Sequence, residues 1–187
     1  MMKKLSALLL ALCLIFACAA VSAEAAAAET PTVLEMDGFT LTLKSGEYYA
    51  TYEKVAEEPY VFVFPFFSNN DLASNYVFMW MGGPFDDSVE TITGQMQEIE
   101  ATIREQIEAQ GATVATFSVD YLDEAELNGE PCTVLDTTVG ISSASVFPLY
   151  QRVIYLGEKG YSISITAVTA DELEKITDQM AWSLSFN

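Results

Sequence analysis

Two neighbouring segments, PYVFVFPFF over 59–67 and NYVFMWM over 75–81, are apolar at successive positions rather than at alternate ones. A strand with that pattern has to be covered on both faces. The fold therefore needs material above and below the sheet that holds these strands. Pro65 interrupts the first segment and removes a ladder donor, which predicts an edge strand or a bulge there.

After Gly82-Gly83-Pro84 the period changes. Val89, Ile92, Met96, Ile99, Ile103 and Ile107 recur at spacings of three and four, the single stripe of an amphipathic helix. Asp87 with Glu90, or Ser88, is placed to cap its start, and Gly111 to end it. The spacing predicts one long helix from about Ser88 to Gln110, with Gly94 as its weak point.

The remaining segments read mostly as strands. Phe39–Leu43 alternates, Ser45-Gly46 turns, and Glu47–Val55 follows; SNND is a second turn. Thr113–Ala125 and Cys132–Val139 flank Asn128-Gly129, a dipeptide suited to a tight hairpin. Phe147–Leu156 and the alternating Tyr161–Val168 come next. A short helix is then predicted, with Thr169 as its cap, Glu172 completing a capping box, and Leu173, Ile176 and Met180 inward. Trp182–Phe186 alternates again as a closing strand. Strands in runs with two separated helices imply an α+β fold: a twisted, mainly antiparallel sheet packed with one long and one short helix.

The N-terminus says where such a domain works. Lys3 and Lys4 precede an apolar run from Leu5 to Ala20 and a small-residue exit at Val21-Ser22-Ala23, the order of a bacterial export leader. Cleavage after Ala23 leaves 164 of the 187 residues, enough for one domain with its own core. Residues 24–36, rich in Ala and Glu, read as a flexible spacer and 37–187 as the single domain. Ile15-Phe16-Ala17-Cys18 also approximates a lipoprotein box, so Cys18 is either discarded with the leader or acylated as an anchor. Nothing beyond the leader reads as an integral membrane span.

Cleavage removes two of the eight basic residues and none of the 27 acids, which leaves a net charge of −21. That charge repels phosphate backbones and anionic lipid surfaces, so nucleic acid is excluded as a partner. Solubility explains the acidity; a cationic partner or divalent-ion surface is the sharper alternative. Of Cys13, Cys18 and Cys132, only Cys132 survives cleavage, and its apolar surroundings PCTVL suit a buried structural thiol.

Catalytic chemistry is hard to place. The chain has no histidine, which removes Ser-His-Asp, Cys-His and His-zinc arrangements together. Phosphate-cradling glycine motifs are also missing. Neither a cofactor nor a metal is implied. Asn69-Asn70-Asp71, Asp86-Asp87 and Asp123-Glu124-Glu126 offer the oxygen ligands calcium takes, but turn chemistry and helix capping explain the first two. The aromatic surplus is more distinctive. Tyr60, Phe62, Phe64 and Phe66 share a face of their strand, and Tyr76, Phe78 and Trp80 a face of theirs, with Tyr48, Tyr49 and Tyr52 nearby. They form either a large aromatic core under the long helix or, where the helices leave them uncovered, a ligand or partner surface.

The closing half carries a resemblance. LNGEPCTVLDTTVG over 127–140 and LYQRVIYLGEKGYSISITAVTADELEKITDQMAWSLSF over 149–186 resemble the PsbP-like and DcrB-like domains, the Mog/PsbP-type α/β sandwich. DGFTLTL resembles that family's opening strand, and Asn128-Gly129-Glu130-Pro131 the turn before its long strand. The resemblance spans about Asp37 to Asn187. It implies a non-enzymatic accessory or binding domain of exported bacterial proteins and lipoproteins, with no shared catalytic motif. The expectation is thus an exported binding domain acting on a protein partner or a small ligand. The alternatives are an assembly protein that self-associates through its aromatic strands and a carboxylate-dependent hydrolase.

Overall fold

The computed structural model describes residues 26–27, 32–36, 38–43, 48–53, 59–64, 75–81, 83–109, 112–142 and 149–187. The leader, Cys18, Pro65, Phe66, the turns at Ser45-Gly46 and SNND, and Gly111 lie outside them. The strands are β1 (Ala26–Ala27), β2 (Thr32–Met36), β3 (Phe39–Leu43), β4 (Tyr48–Glu53), β5 (Pro59–Phe64) and β6 (Asn75–Trp80). Helix α1 (Val89–Ala109) follows, then β7 (Thr113–Leu127), β8 (Glu130–Ser142), β9 (Leu149–Leu156) and β10 (Tyr161–Ala167). Helix α2 (Ala170–Ser183) and β11 (Leu184–Phe186) close the chain.

The fold is α+β, with two open antiparallel sheets. The larger has the order β1-β4-β5-β6-β10-β9-β8-β7, and the smaller β11-β3-β2. Two meanders, β4–β6 and β7–β10, are stitched together where β6 pairs with β10. Helix α1 carries the chain from β6 in the interior of the sheet to β7 at its edge.

Both faces are covered, as successive apolar positions require. On one face, Ile92, Met96 and Ile103 of α1 pack on Leu135, Val139, Val153 and Tyr155. On the other, the small sheet and α2 bring Phe39, Leu41, Leu43, Leu173, Ile176 and Met180 against Phe78, Ile154, Ile163 and Ile165. Tyr76, Val77, Phe78 and Met79 are all buried, so β6 is covered on both sides.

Local chemistry sets the boundaries. Thr169, with extended backbone (φ −137°, ψ 155°), accepts the N–H of Glu172 and caps α2. Ser88 Oγ accepts the N–H of Thr91 at the start of α1, and Asp86 holds the N–H of Ser88. Asp87 does not cap α1: its carboxylate accepts the N–H of Gly157 at 3.0 Å and ties the helix lead-in to the β9–β10 turn. Asn128 (φ 53°) and Gly129 (φ 86°) both lie in the left-handed region, which matches the type I′ turn that Asn-Gly favours.

Three expectations are corrected. Residues 32–36, read as spacer, form β2 and pair with β3 along their whole length, so the domain starts earlier than Asp37. The β5 strand is not an edge strand: it lies between β4 and β6 in unbroken register. Trp182 and Ser183 belong to α2, and only Leu184–Phe186 forms the closing strand. Trp182 lies on the outer side of that helix, 66% exposed.

Candidate functional site: a buried polar row

Adjacent strands in antiparallel register place directly paired residues on one face. Thr137 of β8 pairs with Gln151 of β9, and Gln151 with Thr166 of β10, so the three form one row across the sheet. Asn75 of β6 and Val119 of β7 continue that row on either side. Ser164 sits two residues along β10 from Thr166, paired with Val153 and Val77. Gln151 alternates with Val153 and Tyr155, and Thr137 lies between Leu135 and Val139, so the row is on the α1 face.

These side chains are withdrawn from solvent: Gln151 is 1% exposed and Thr166 0%. The Thr137, Ser164 and Thr166 hydroxyls and both polar atoms of the Gln151 carboxamide have no hydrogen-bond partner. Burial of an amide or hydroxyl without a partner costs on the order of 1–3 kcal/mol, so native proteins rarely leave several together. Ser162 Oγ, one pair further along, donates to the Met81 sulfur at 3.5 Å. The row carries donors and acceptors and no ionisable side chain. Thr, Ser and Gln can hold a ligand by hydrogen bonds, but they are poorly suited to acid–base work unless a base stands beside them.

The register divides the aromatic positions between faces. Tyr60 pairs with Met79 and Phe62 with Val77, whereas Val61 pairs with Phe78 and Val63 with Tyr76. Positions 60 and 62 of β5 therefore share backbone rows with Met79 and Val77. Tyr76 and Phe78 of the β6 series belong to the face of the small sheet and α2. Tyr76 and Phe78 are core: Phe78 stacks on Phe39 at 5.2 Å, and Tyr76 meets Phe78 edge-on at 5.8 Å. The side chains of Tyr60, Phe62, Phe64 and Trp80 are outside the description, as are Phe66 and Cys18 altogether.

Elsewhere, charged groups tie elements together. Arg152 makes a bidentate pair with Asp136 (2.8 and 2.7 Å) and reaches Glu174 (3.0 and 2.8 Å), fastening α2 to β8 and β9. Its hydrogen bond holds the Glu174 carboxyl below the usual glutamate range, against a smaller opposing effect of burial. Burial, aided by the charges of Asp87 and Glu126, pushes the Cys132 thiol up to about 11. At neutral pH it is a protonated core side chain. The hydroxyl of Thr91 and Ser88 hold the fully exposed Asp86 carboxyl below its ordinary value. Asp86 and Asp87 are thus engaged in local structure, and Asn69, Asn70 and Asp71 lie outside the described residues. Among the described residues, no group of three or more Cys, Asp or Glu side chains could hold a metal ion.

Sequence reasoning missed Thr137, Gln151, Ser164 and Thr166. A signal was present in YQRVIYL, where Gln151 interrupts an otherwise apolar face, but its burial depends on strands paired over long range. Among the described residues, no helix is long and apolar enough to cross a membrane. The chain matches no family model and no curated protein.

Proposed function

We propose that this protein is an exported, non-enzymatic binding domain that works at or near a bacterial cell envelope. The observation that carries the binding reading is the buried row Thr137–Gln151–Thr166, whose polar atoms lack partners within the protein. Unpartnered buried groups lower stability, and a ligand that satisfies them returns that free energy as affinity. The row's neutral hydroxyls and carboxamide suit retention of a ligand without its conversion. Export is supported by the leader over residues 1–23, and the accessory role by the resemblance to PsbP-like domains. Of the two partner classes, protein and small ligand, the enclosed position of the row favours the small ligand.

Two mass measurements on protein recovered from its native host test the reading. An intact mass that begins at Glu24, or one with a diacylated Cys18, agrees with export; a mass that begins at Met1 overturns it. Native mass spectrometry should show a noncovalent small-molecule increment that disappears on denaturation. A native mass equal to that of the chain alone removes the support for the small-ligand reading.

A further inference from the structure

The open edge of the large sheet points to a partner independently of the buried row. Strand β7 closes that sheet and, among the described residues, has a neighbouring strand on one side only. From Thr116 to Leu122 its register with β8 is unbroken, and an irregularity lies at each end of that stretch. Arg104 of α1 donates to the Val114 carbonyl at 3.0 Å and ties down the strand just before the regular stretch begins. Beyond that tie, alternate residues of the stretch turn their main-chain donors and acceptors outward, the template that strand addition uses. Bulges and charge guard such an edge against indiscriminate pairing, and so restrict which strand it admits.

The two faces of the stretch specify that strand. Phe117, Val119 and Tyr121 pack against the cluster under α1 yet stay partly exposed at the end of the sheet. One more strand with apolar residues opposite them would complete their cover. On the other face the row through Asp120 reads acid, acid, base: Asp120 pairs with Asp136, and Asp136 with Arg152. Arg152 is engaged by Asp136 and by Glu174 of α2, at 2.7 and 2.8 Å. Among the described residues no Lys or Arg forms an ion pair with Asp120, which is exposed beside its like-charged neighbour. Like charges directly opposite each other destabilise a sheet, and a cation on the open side of Asp120 relieves that repulsion. A second copy of β7 would instead bring up another Asp120, on a chain of net charge −19. We propose that the β7 edge from Thr116 to Leu122 docks an extended strand of a partner protein, one that alternates apolar residues with Lys or Arg and sets a cation opposite Asp120.

The test is a titration of the purified, isotope-labelled protein with the peptide acetyl-Thr-Val-Lys-Val-Lys-Val-Thr-amide, followed by NMR at the β7 backbone amides. Its alternation sets valine opposite Phe117, Val119 and Tyr121, and lysine opposite Ser118 and Asp120, in either strand direction. The β7 amides should shift saturably with a dissociation constant below about 1 mM, and those on the open side should exchange with solvent more slowly. Replacing both lysines by glutamate should weaken the peptide by about tenfold or more. Asp120→Asn should weaken the lysine peptide by about threefold or more. Asp178→Asn, the same charge change on the exposed side of α2, should leave its binding unchanged. Both positions are exposed, so both variants keep the fold. No saturable shift at β7, an equal response to the glutamate peptide, or an equal loss in the two variants overturns the assignment. A dimer of the free protein whose contact maps to β7 also overturns it and gives the edge to a second copy. A native mass without a small-molecule increment removes the support for the buried-row reading and leaves this one standing.

Discussion

The side-chain amide of Asn128 donates to the main-chain oxygen of Leu184 at 2.7 Å. The same nitrogen reaches Ala181 O at 2.8 Å. The tip of the β7–β8 hairpin therefore satisfies a carbonyl that the last turn of α2 would otherwise leave open, and holds the first residue of β11 beside it. Asn128 does two jobs, because its own backbone also occupies the left-handed region. Asn128→Gly keeps the turn and loses the bonds, at a cost of about 1–2 kcal/mol. Asn128→Ala adds left-handed strain and should cost about 1 kcal/mol more. Urea denaturation of the two variants separates the contributions; equal midpoints would mean that backbone conformation contributes nothing measurable.

Arg152 has two acidic partners in different surroundings. Asp136 is partly buried, whereas Glu174 has a side chain 63% exposed. Neutralising Asp136 strands a guanidinium that is itself mostly withdrawn from water, so Asp136→Asn should cost about 2–3 kcal/mol. Glu174→Gln should cost less than about 1 kcal/mol, as exposed pairs do. Thermal unfolding at neutral pH should rank the two in that order.

The Arg152 pair also sets a pH dependence. Glu174 has a folded-state pKa below its ordinary 4.5, so its contribution is present above that value and is lost as pH falls through the folded one. Acid titration of stability should therefore steepen below about pH 4.5, and Arg152→Met should remove that part of the slope. An unchanged acid limb in the variant would show that the pair carries no linkage.

Cys132 behaves in the opposite sense at alkaline pH. Its folded-state pKa is raised from 9.0 to about 11, so the folded protein keeps the proton that the unfolded chain gives up. Stability from this group is complete below pH 9 and is lost as pH rises from there toward 11. Iodoacetamide at pH 8 should label Cys132 only after addition of denaturant, and Cys132→Ala should flatten the alkaline limb. Rapid labelling of the native protein would contradict the burial.

Gly157 lies where no side chain fits. A Cβ there would stand 2.5 Å from Asp87 Cγ and 2.6 Å from Phe85 O. Gly157 also donates to Asp87 and accepts from Phe85 N, so the β9–β10 turn holds the lead-in to α1 by its backbone. Gly157→Ala should cost about 1–3 kcal/mol and raise the exchange rate of the Phe85 amide hydrogen. Retained protection at Phe85 would mean that the lead-in is held by other contacts.

Segments whose structure follows from near neighbours were legible in the sequence. The stripe Ile92–Met96–Ile103, the Asn128-Gly129 turn and the Thr169 cap all depend on residues within a few positions, and the fold class follows from their order. Long-range pairing was not legible. Residues 32–36 sit in an Ala/Glu-rich stretch with little strand signal, yet pairing with Phe39–Leu43 makes them a strand. Alternation in YSISITAV ordinarily means that Ser and Thr face water, but Ser162, Ser164 and Thr166 are buried because the second face is covered too. For the candidate site, the residue types were visible and their convergence was not. Gln151 meets Thr137 and Thr166 only through the register of three strands.

The seam between β6 and β10 has a consequence for how the chain emerges from the ribosome. Val77, Phe78 and Met79 take one set of ladder bonds from residues roughly 80 positions further along the chain. Until Tyr161–Ala167 has appeared, the first meander ends in an apolar strand with an unpaired edge, the geometry that recruits other chains. The later meander, β7 to β10, pairs entirely among neighbours in sequence and can form by itself. Vectorial delivery therefore hands over the dependent half first and its template last. For this protein, the hazardous interval in biogenesis is set by the length of α1 and the three strands that follow it.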